Sequence, residues 1–433
     1  MNNNYRQISG YAPDLYDFAQ GDSDDALMER IQNYTDYLLD NSSAQEPVWN
    51  IEQIRSGKPN KWNYIDGCMI TAILSLYDLT GEKKYLDFAD AFVDWFVQEN
   101  GDILTYDPEE KNVDNINTAS NLFTLYDLTG KEKYRRAIDT VRHQIDIMPR
   151  TKEGNFWHKD IYPWQVWLDG LYMAQPFYMQ YETRFNRMHG CQDSFSQFCN
   201  VKRLMRDEKT GLYYHAYDES RSMFWADPET GRSANFWLRS LGWFMCALTD
   251  TAQAMNEALY YERRCLTGML QELTDALLKW QDKSGMFWQV INRPDLSASE
   301  DGFCLSRETF GEDHTFAAGE VKGNYLETSG TALIAYAILK GVRLGFLPQR
   351  YAAAARRAFM GIADHYLLTG DDGSLGLGGI CLVAGLGGAA KRDGSLAYYF
   401  GEPVVRNEAK GTAPFLLAYT ELLRLRKEAG HEI

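Results

Sequence analysis

Apolar positions recur every three to four residues through most of this chain, and the clearest instance occurs twice. SLYDLTGEKKYLDFADAFVDWF (75 to 96) and TLYDLTGKEKYRRAIDTVRHQI (124 to 145) lie 49 residues apart. In each, one helical stretch stops at Leu-Thr-Gly and a second begins, its apolar residues following a period near 3.6. Gly81 and Gly130 fall where a helix C-terminus needs a left-handed residue, so each segment reads as two helices folded back on each other. A helical hairpin cannot bury both of its faces alone, so a repeat of about fifty residues calls for neighbouring copies. Similar stretches follow over roughly 167–184, 192–206, 235–250, 258–281, 329–341, 350–368 and 411–429. Strand-type alternation is scarce and no linker separates two halves. The expected fold is all-α, one domain over residues 1–433 in which hairpins close into a ring of inner and outer helices, with 1–25 as an N-terminal extension. Functional side chains then belong on loops at one mouth of the ring and on the first turns of inner helices.

One segment breaks the helical pattern. GSLGLGGICLVAGLGGAAKRDG (373 to 394) is too rich in glycine for a helix and too apolar for a linker. It is expected to be a long ordered loop lining the site. It lacks the strand and the GxxxxGK[ST] pattern of a nucleotide-binding loop.

Composition narrows the partners. A net charge of −16 leaves no surplus of cations to release counterions from a nucleic acid. No apolar run is long enough to span a membrane. The 11 Trp, 27 Tyr and 21 Phe, many beside Gly, Asp or Arg, suit rigid platforms for carbohydrate faces, although most belong to a core. MNNNYRQISGYAPDLYDF has neither the basic start nor the apolar centre of a secretion signal. The seven cysteines, at 68, 191, 199, 246, 265, 304 and 381, then read as free thiols in a reducing compartment. The expected location is cytoplasmic, or periplasmic if a leader has been removed. No heptad pattern specifies an assembly, and a monomer or weak homo-oligomer is expected.

The densest chemistry lies in HKDIYPWQVWLDGLYMAQPF (158 to 177), where His158, Lys159, Tyr162, Trp164, Trp167 and Asp169 crowd a helix start. This mixture suits a pocket that holds a sugar ring against aromatic faces and donates a proton to it. A Trp-rich helix start capped by Asp169 is the purely structural alternative. Asp114 precedes another inner helix, His215 and Asp218 lie in TGLYYHAYDES, and Trp237, Arg239 and Trp243 open a further helix. Arg239 between two indoles calls for an anion, either a ligand's or a carboxylate of a neighbouring helix. The seven histidines show no HxxxH or HExxH spacing and the cysteines no metal-ligand spacing, so neither a metal nor a cofactor is expected. No GxSxG elbow supports serine-esterase chemistry. Carboxylates remain: Asp114 and Asp169 occupy equivalent places in successive hairpins and are candidates to converge across a central cavity.

Taken together and in order, NFWHKDIYPWQVWLDGLYMAQPF, TGLYYHAYDES, WADPETGRSANFWLRSLGWFMCAL, NYLETSGTALIAYAILKGVRLG and AGLGGAAKRDGSLAYYFGEPVVRNEAKGTAPFLLA resemble the unsaturated rhamnogalacturonyl hydrolases of glycoside hydrolase family 105. The likeness runs from about residue 60 to 425, with a more distant one to the unsaturated glucuronyl hydrolases of family 88. It implies an (α/α)6 barrel acting on an unsaturated uronic-acid di- or oligosaccharide. The 4-deoxy-hex-4-enuronic residue at the non-reducing end would be protonated at C4 and hydrated at C5, releasing 5-keto-4-deoxyuronate. By the same resemblance Asp169 is the general acid and Asp114 the second acidic position. His158, Lys159, Trp167, His215, Trp237, Arg239 and Trp243 line the cavity, with Trp62 as an opposite wall. Arg239, Lys159 or the Lys391–Arg392 loop would meet the uronate carboxylate. Val166, Leu238 and Tyr217 depart from the family's usual Met, Gly and Trp, and bear on substrate rather than reaction. Two further carbohydrate enzymes compete: a sugar epimerase, and an inverting glycosidase with carboxylates about 6.5–9.5 Å apart. A non-catalytic glycan-binding toroid is the alternative from another class.

Overall fold

The computed structural model describes residues 24–297, 299–303, 323–369 and 375–429. Among these residues, twelve helices of ten or more residues follow one another: α1 (Asp24–Asp40), α2 (Tyr64–Thr80), α3 (Lys83–Phe96), α4 (Ser120–Thr129), α5 (Glu132–Ile147), α6 (Leu168–Phe185), α7 (Cys191–Met205), α8 (Leu238–Ala254), α9 (Tyr260–Leu277), α10 (Thr328–Arg343), α11 (Ala352–Tyr366) and α12 (Ala409–Glu428). The even-numbered helices form an inner ring. α2 packs on the 3-10 segment Val113–Ala119 that leads into α4, that segment packs on α6, and α6, α8, α10 and α12 follow in turn until α12 returns to α2. From α2 to α11, each inner helix also packs on the outer helix that follows it. α1 reaches the last inner helix through Tyr34, whose hydroxyl meets Asn407 Oδ1 at 2.9 Å and Thr412 Oγ1 at 3.2 Å. The result is an (α/α) toroid.

Sequence pattern explains the two layers. Outer helices are amphipathic: α5 buries Tyr134, Ala137, Ile138, Val141 and Ile145, one stripe at helical spacing. Inner helices are enclosed on all sides, and α10 is buried from Thr328 to Val342. Glycine permits their close approach. A Cβ on Gly330 would stand 2.4 Å from Leu238 Cγ and 2.9 Å from the Leu238 carbonyl carbon. The repeated Leu-Thr-Gly ends behave as expected, since Gly81 (φ 73°) and Gly130 (φ 68°) are left-handed and donate to the Tyr77 and Tyr126 carbonyls at 2.8 Å.

The helices expected from periodicity coincide with α2 to α12 within a few residues at each end, except that α2 begins at Tyr64, eleven residues before the repeat that marked it. α1 was not among them, although Leu27, Ile31, Tyr34 and Leu38 give it a buried stripe. Residues 1–23 of the expected extension lie outside the described residues, as does Cys304. Within 375–394 the glycine-rich segment is more regular than a loop. Leu375–Leu377 pairs with Leu367–Thr369, and Ile380–Cys381 with Val404–Val405. Sheet structure among the described residues consists of two-stranded ladders. No described helix is long and apolar enough to cross a membrane.

Candidate active site

Short backbone ladders at the starts of inner helices bring distant loops together. Gln165–Trp167, just before α6, pairs antiparallel with Ala216–Asp218, and the Leu168 N–H donates to the His215 carbonyl at 3.1 Å. This register sets His215 beside Asp169 in the first turn of α6. One hairpin earlier, Asn112 bridges to Lys159, and the Val113 N–H donates to the His158 carbonyl at 3.2 Å. Asp114 is thereby placed against His158 and Lys159, in the 3-10 segment rather than in the helix proper. The Asn112 side chain caps that segment by accepting from the Asp114 N–H at 3.1 Å.

The two carboxylates have different company. Asp114 Oδ2 is 2.7 Å from Lys159 Nζ, and its Oδ1 is 3.4 Å from His158 Nε2. Burial opposes ionisation of Asp114, but the Lys159 ammonium outweighs it and holds the carboxyl below the usual carboxylate range. Lys159 is raised in return, burial again being overcome by Asp114. Asp169 Oδ2 faces His215 Nε2 at 3.4 Å, and among the described residues no lysine or arginine pairs with it. Both acid side chains keep 13% of their surface exposed. Burial draws the His158 pKa down to about 4, so this ring is neutral near pH 7; Asp114, Asp169 and His215 all act on it, which puts the four groups in one neighbourhood.

Aromatic rings frame them. Trp167 stacks on His158 (4.5 Å between centroids, 8°) and on Tyr162 (5.2 Å, 13°), and meets His215 edge-on at 5.5 Å. Trp237 lies 4.7 Å from His215. The Arg239 guanidinium sits 4.8 Å over the Trp237 ring and donates to the Cys381 and Leu382 carbonyls and to Ser329 Oγ. Its partners are thus mainly backbone carbonyls, where the sequence suggested an anion. Arg392 bonds Tyr162 Oη at 3.2 Å, while Lys391, at φ 49°, is exposed on the same loop. Trp62 and Trp243 are each 2% exposed. Trp62 donates to the Asn115 carbonyl at 2.9 Å, and Trp243 stacks on Tyr172 at 4.9 Å. Asp218 is consumed locally, accepting from the backbone of Ser220, Ser222 and Met223.

Sequence reasoning missed two features. Tyr399, from the short helix Leu396–Gly401, meets His215 Nδ1 at 2.8 Å across 184 residues of chain. Behind His158 and Trp167 lies a small cavity with room for about one water. Its lining residues Asn155, Trp157, His158, Gln175 and Gln197 each carry a buried polar atom without a partner among the described residues.

A ring of helical hairpins thus holds two carboxylates in unlike surroundings among aromatic rings. The profile of Glycosyl Hydrolase Family 88 matches residues 30–303 and 314–426. A solved glycoside hydrolase from family 105 of C. acetobutylicum is 41% identical, with a TM-score of 0.77 over 90% of this chain and 99% of that one. A 24.9 kDa protein in the picA locus of Rhizobium radiobacter is 34% identical over 267 residues, 59% of this chain and 100% of that protein. The unsaturated rhamnogalacturonyl hydrolase YesR of Bacillus subtilis is 23% identical over 240 residues, 54% of this chain and 65% of that protein. The chain belongs to the glycosidase grouping of families 88 and 105.

Proposed function

We propose that this chain is an unsaturated uronyl hydrolase. Its substrate is the 4-deoxy-hex-4-enuronosyl residue at the non-reducing end of lyase-generated pectin or other uronic-acid oligosaccharides. The observation that carries this reading is the unequal treatment of the two carboxylates. Lys159 keeps Asp114 a fixed anion against the opposing effect of burial, whereas among the described residues Asp169 has only the His215 ring at its carboxyl. Paired carboxylates in unlike surroundings divide into a fixed charge and a proton carrier. The family and the name borne by the Bacillus subtilis relative support the same substrate class.

Asp169 gives its proton to C4 of the C4=C5 bond as water adds its oxygen at C5. The water's proton returns to Asp169. The hemiketal opens to the C5 ketone, and the hemiacetal at C1 collapses, expelling the neighbouring sugar as an alcohol. Asp114 supplies a fixed negative charge to the site. Lys159 and the Lys391–Arg392 loop are the cations available to the uronate carboxylate. The test follows ultraviolet absorbance of the conjugated alkene in a rhamnogalacturonan disaccharide and in glucuronate-derived products. The wild type should bleach one of them, and Asp169→Asn should lower the rate by at least about a thousandfold. Turnover of a saturated glycoside with no bleaching would replace this reading with the inverting-glycosidase one.

A further inference from the structure

His215 is placed at Asp169 by the ladder before α6, but a histidine has two ring nitrogens, and its function depends on which one carries hydrogen. The Nε2 atom faces Asp169 Oδ2 at 3.4 Å, and neither atom has a hydrogen-bond partner elsewhere among the described residues. The other nitrogen, Nδ1, lies 2.8 Å from Tyr399 Oη. Both His215 and Tyr399 are fully buried, and the phenol ring is stacked at 6.1 Å on Trp237, so the hydroxyl cannot turn to solvent. Among the described residues Nδ1 is the one group to which Tyr399 Oη bonds. If Nδ1 carried the hydrogen, the phenol proton would be buried without an acceptor, and the Nε2 lone pair would confront a carboxyl oxygen. With the phenol donating to Nδ1, the hydrogen sits on Nε2 and points at Oδ2.

We infer that Tyr399 is a positioning residue: by donating to Nδ1 it holds His215 as the Nε2–H tautomer and so decides which oxygen of Asp169 bears the acid proton. An Nε2–H directed at Oδ2 makes that oxygen an acceptor. The acid proton of Asp169 then occupies Oδ1, the oxygen left for the substrate. Without Tyr399 the other tautomer becomes available, and Asp169 can spend its proton on the imidazole instead of on the alkene. The catalytic half of this inference rests on the hydration reading; the tautomer half does not.

The test is separable in the same way. Protein labelled with 15N-histidine reports each ring's tautomer through long-range proton–nitrogen correlations, with the His215 signals assigned by their loss in His215→Gln. The wild type should show Nδ1 unprotonated and Nε2 protonated at His215. Tyr399→Phe should shift both nitrogens toward a mixture, and kcat should fall on the order of tenfold while KM changes less than about twofold. A hydrogen on Nδ1 in the wild type would overturn the inference, as would a Tyr399→Phe protein with unchanged His215 shifts and unchanged kcat. If Tyr399 were only structural, its variant would lose folded protein while the folded remainder kept the wild-type tautomer, which also overturns it. Expected shifts in a wild type that bleaches no unsaturated substrate would retain the tautomer assignment and defeat the hydration reading alone.

Discussion

His158 and Lys159 are adjacent in sequence and face the same carboxylate, and burial lowers the pKa of both, yet the outcomes are opposite. His158 is neutral, drawn from 6.5 to about 4, while Lys159 keeps its charge because Asp114 is within 2.7 Å. A buried neutral imidazole costs stability in acid: between its unfolded and folded pKa values only the unfolded chain binds the proton. His158 therefore contributes fully above about pH 6.5, and its contribution is lost as pH falls toward 4. Urea unfolding should show the wild type losing about 2 kcal/mol more than His158→Gln between pH 7 and pH 5. The Asp114–Lys159 pair acts in a different window, because a depressed carboxyl loses its contribution only below the ordinary carboxylate range. Lys159→Met should raise the Asp114 pKa, leaving burial unopposed by the ammonium, and move the acid limb of the kcat/KM profile to higher pH. An unmoved limb would mean that Asp114 does not govern it. Of the candidate residues, the motif-borne ones could be named from sequence alone. Tyr399 could not, because nothing in SLAYYFG says which of two adjacent tyrosines reaches a histidine 184 residues away.

The inner helices owe their spacing to glycine more than to apolar volume. Gly330 at the start of α10 touches Leu238 at the start of α8, and Gly242 of α8 lies where a Cβ would come 2.7 Å from Leu333 Cβ. Gly330→Ala would force the two helices apart at the end that carries Arg239 and Trp237. Overpacking of this kind costs about 1–3 kcal/mol, read as a lowered urea midpoint with unchanged slope. Activity should fall further than the loss of folded protein accounts for. Helices were legible because their periodicity extends over ten or more residues. The ladders were not, because two or three residues are too few to show alternation. The first of those ladders nevertheless places His215, and a single bridge from Asn112 places Lys159.

A buried charge cluster lies where the chain's late segment meets its early one to close the ring. Lys410, in the first turn of α12, is fully buried and pairs with Glu408 at 2.8 Å and with Glu52. Glu408 also accepts from the Ile51 N–H at 3.0 Å, and the Ala409 N–H donates to the Trp49 carbonyl at 2.9 Å. Further along, Arg424 reaches Asp78 and Ser75 of α2. Removing one partner of a buried ion pair leaves the other charge uncompensated, at a cost of about 3–5 kcal/mol. Lys410→Met should lose stability in that range in urea, whereas replacing an exposed pair such as Lys83–Asp87 should change it by less than about 1 kcal/mol. Equal effects would mean that the cluster does not hold the ring closed.

Short-range physics settled the helices, the left-handed glycine turns and the type of fold, since helical periodicity and a repeated hairpin with one face to bury are properties of neighbouring residues. The motifs likewise announced which side chains were candidates. Which carboxylate would receive the lysine, which ring nitrogen would meet a phenol, and whether an indole would sit in the core or beside the mouth were decided only when loops from separate hairpins paired. Those outcomes rest on distances of a few ångströms between groups tens to hundreds of residues apart, where burial and Coulomb attraction act and local pattern carries no information.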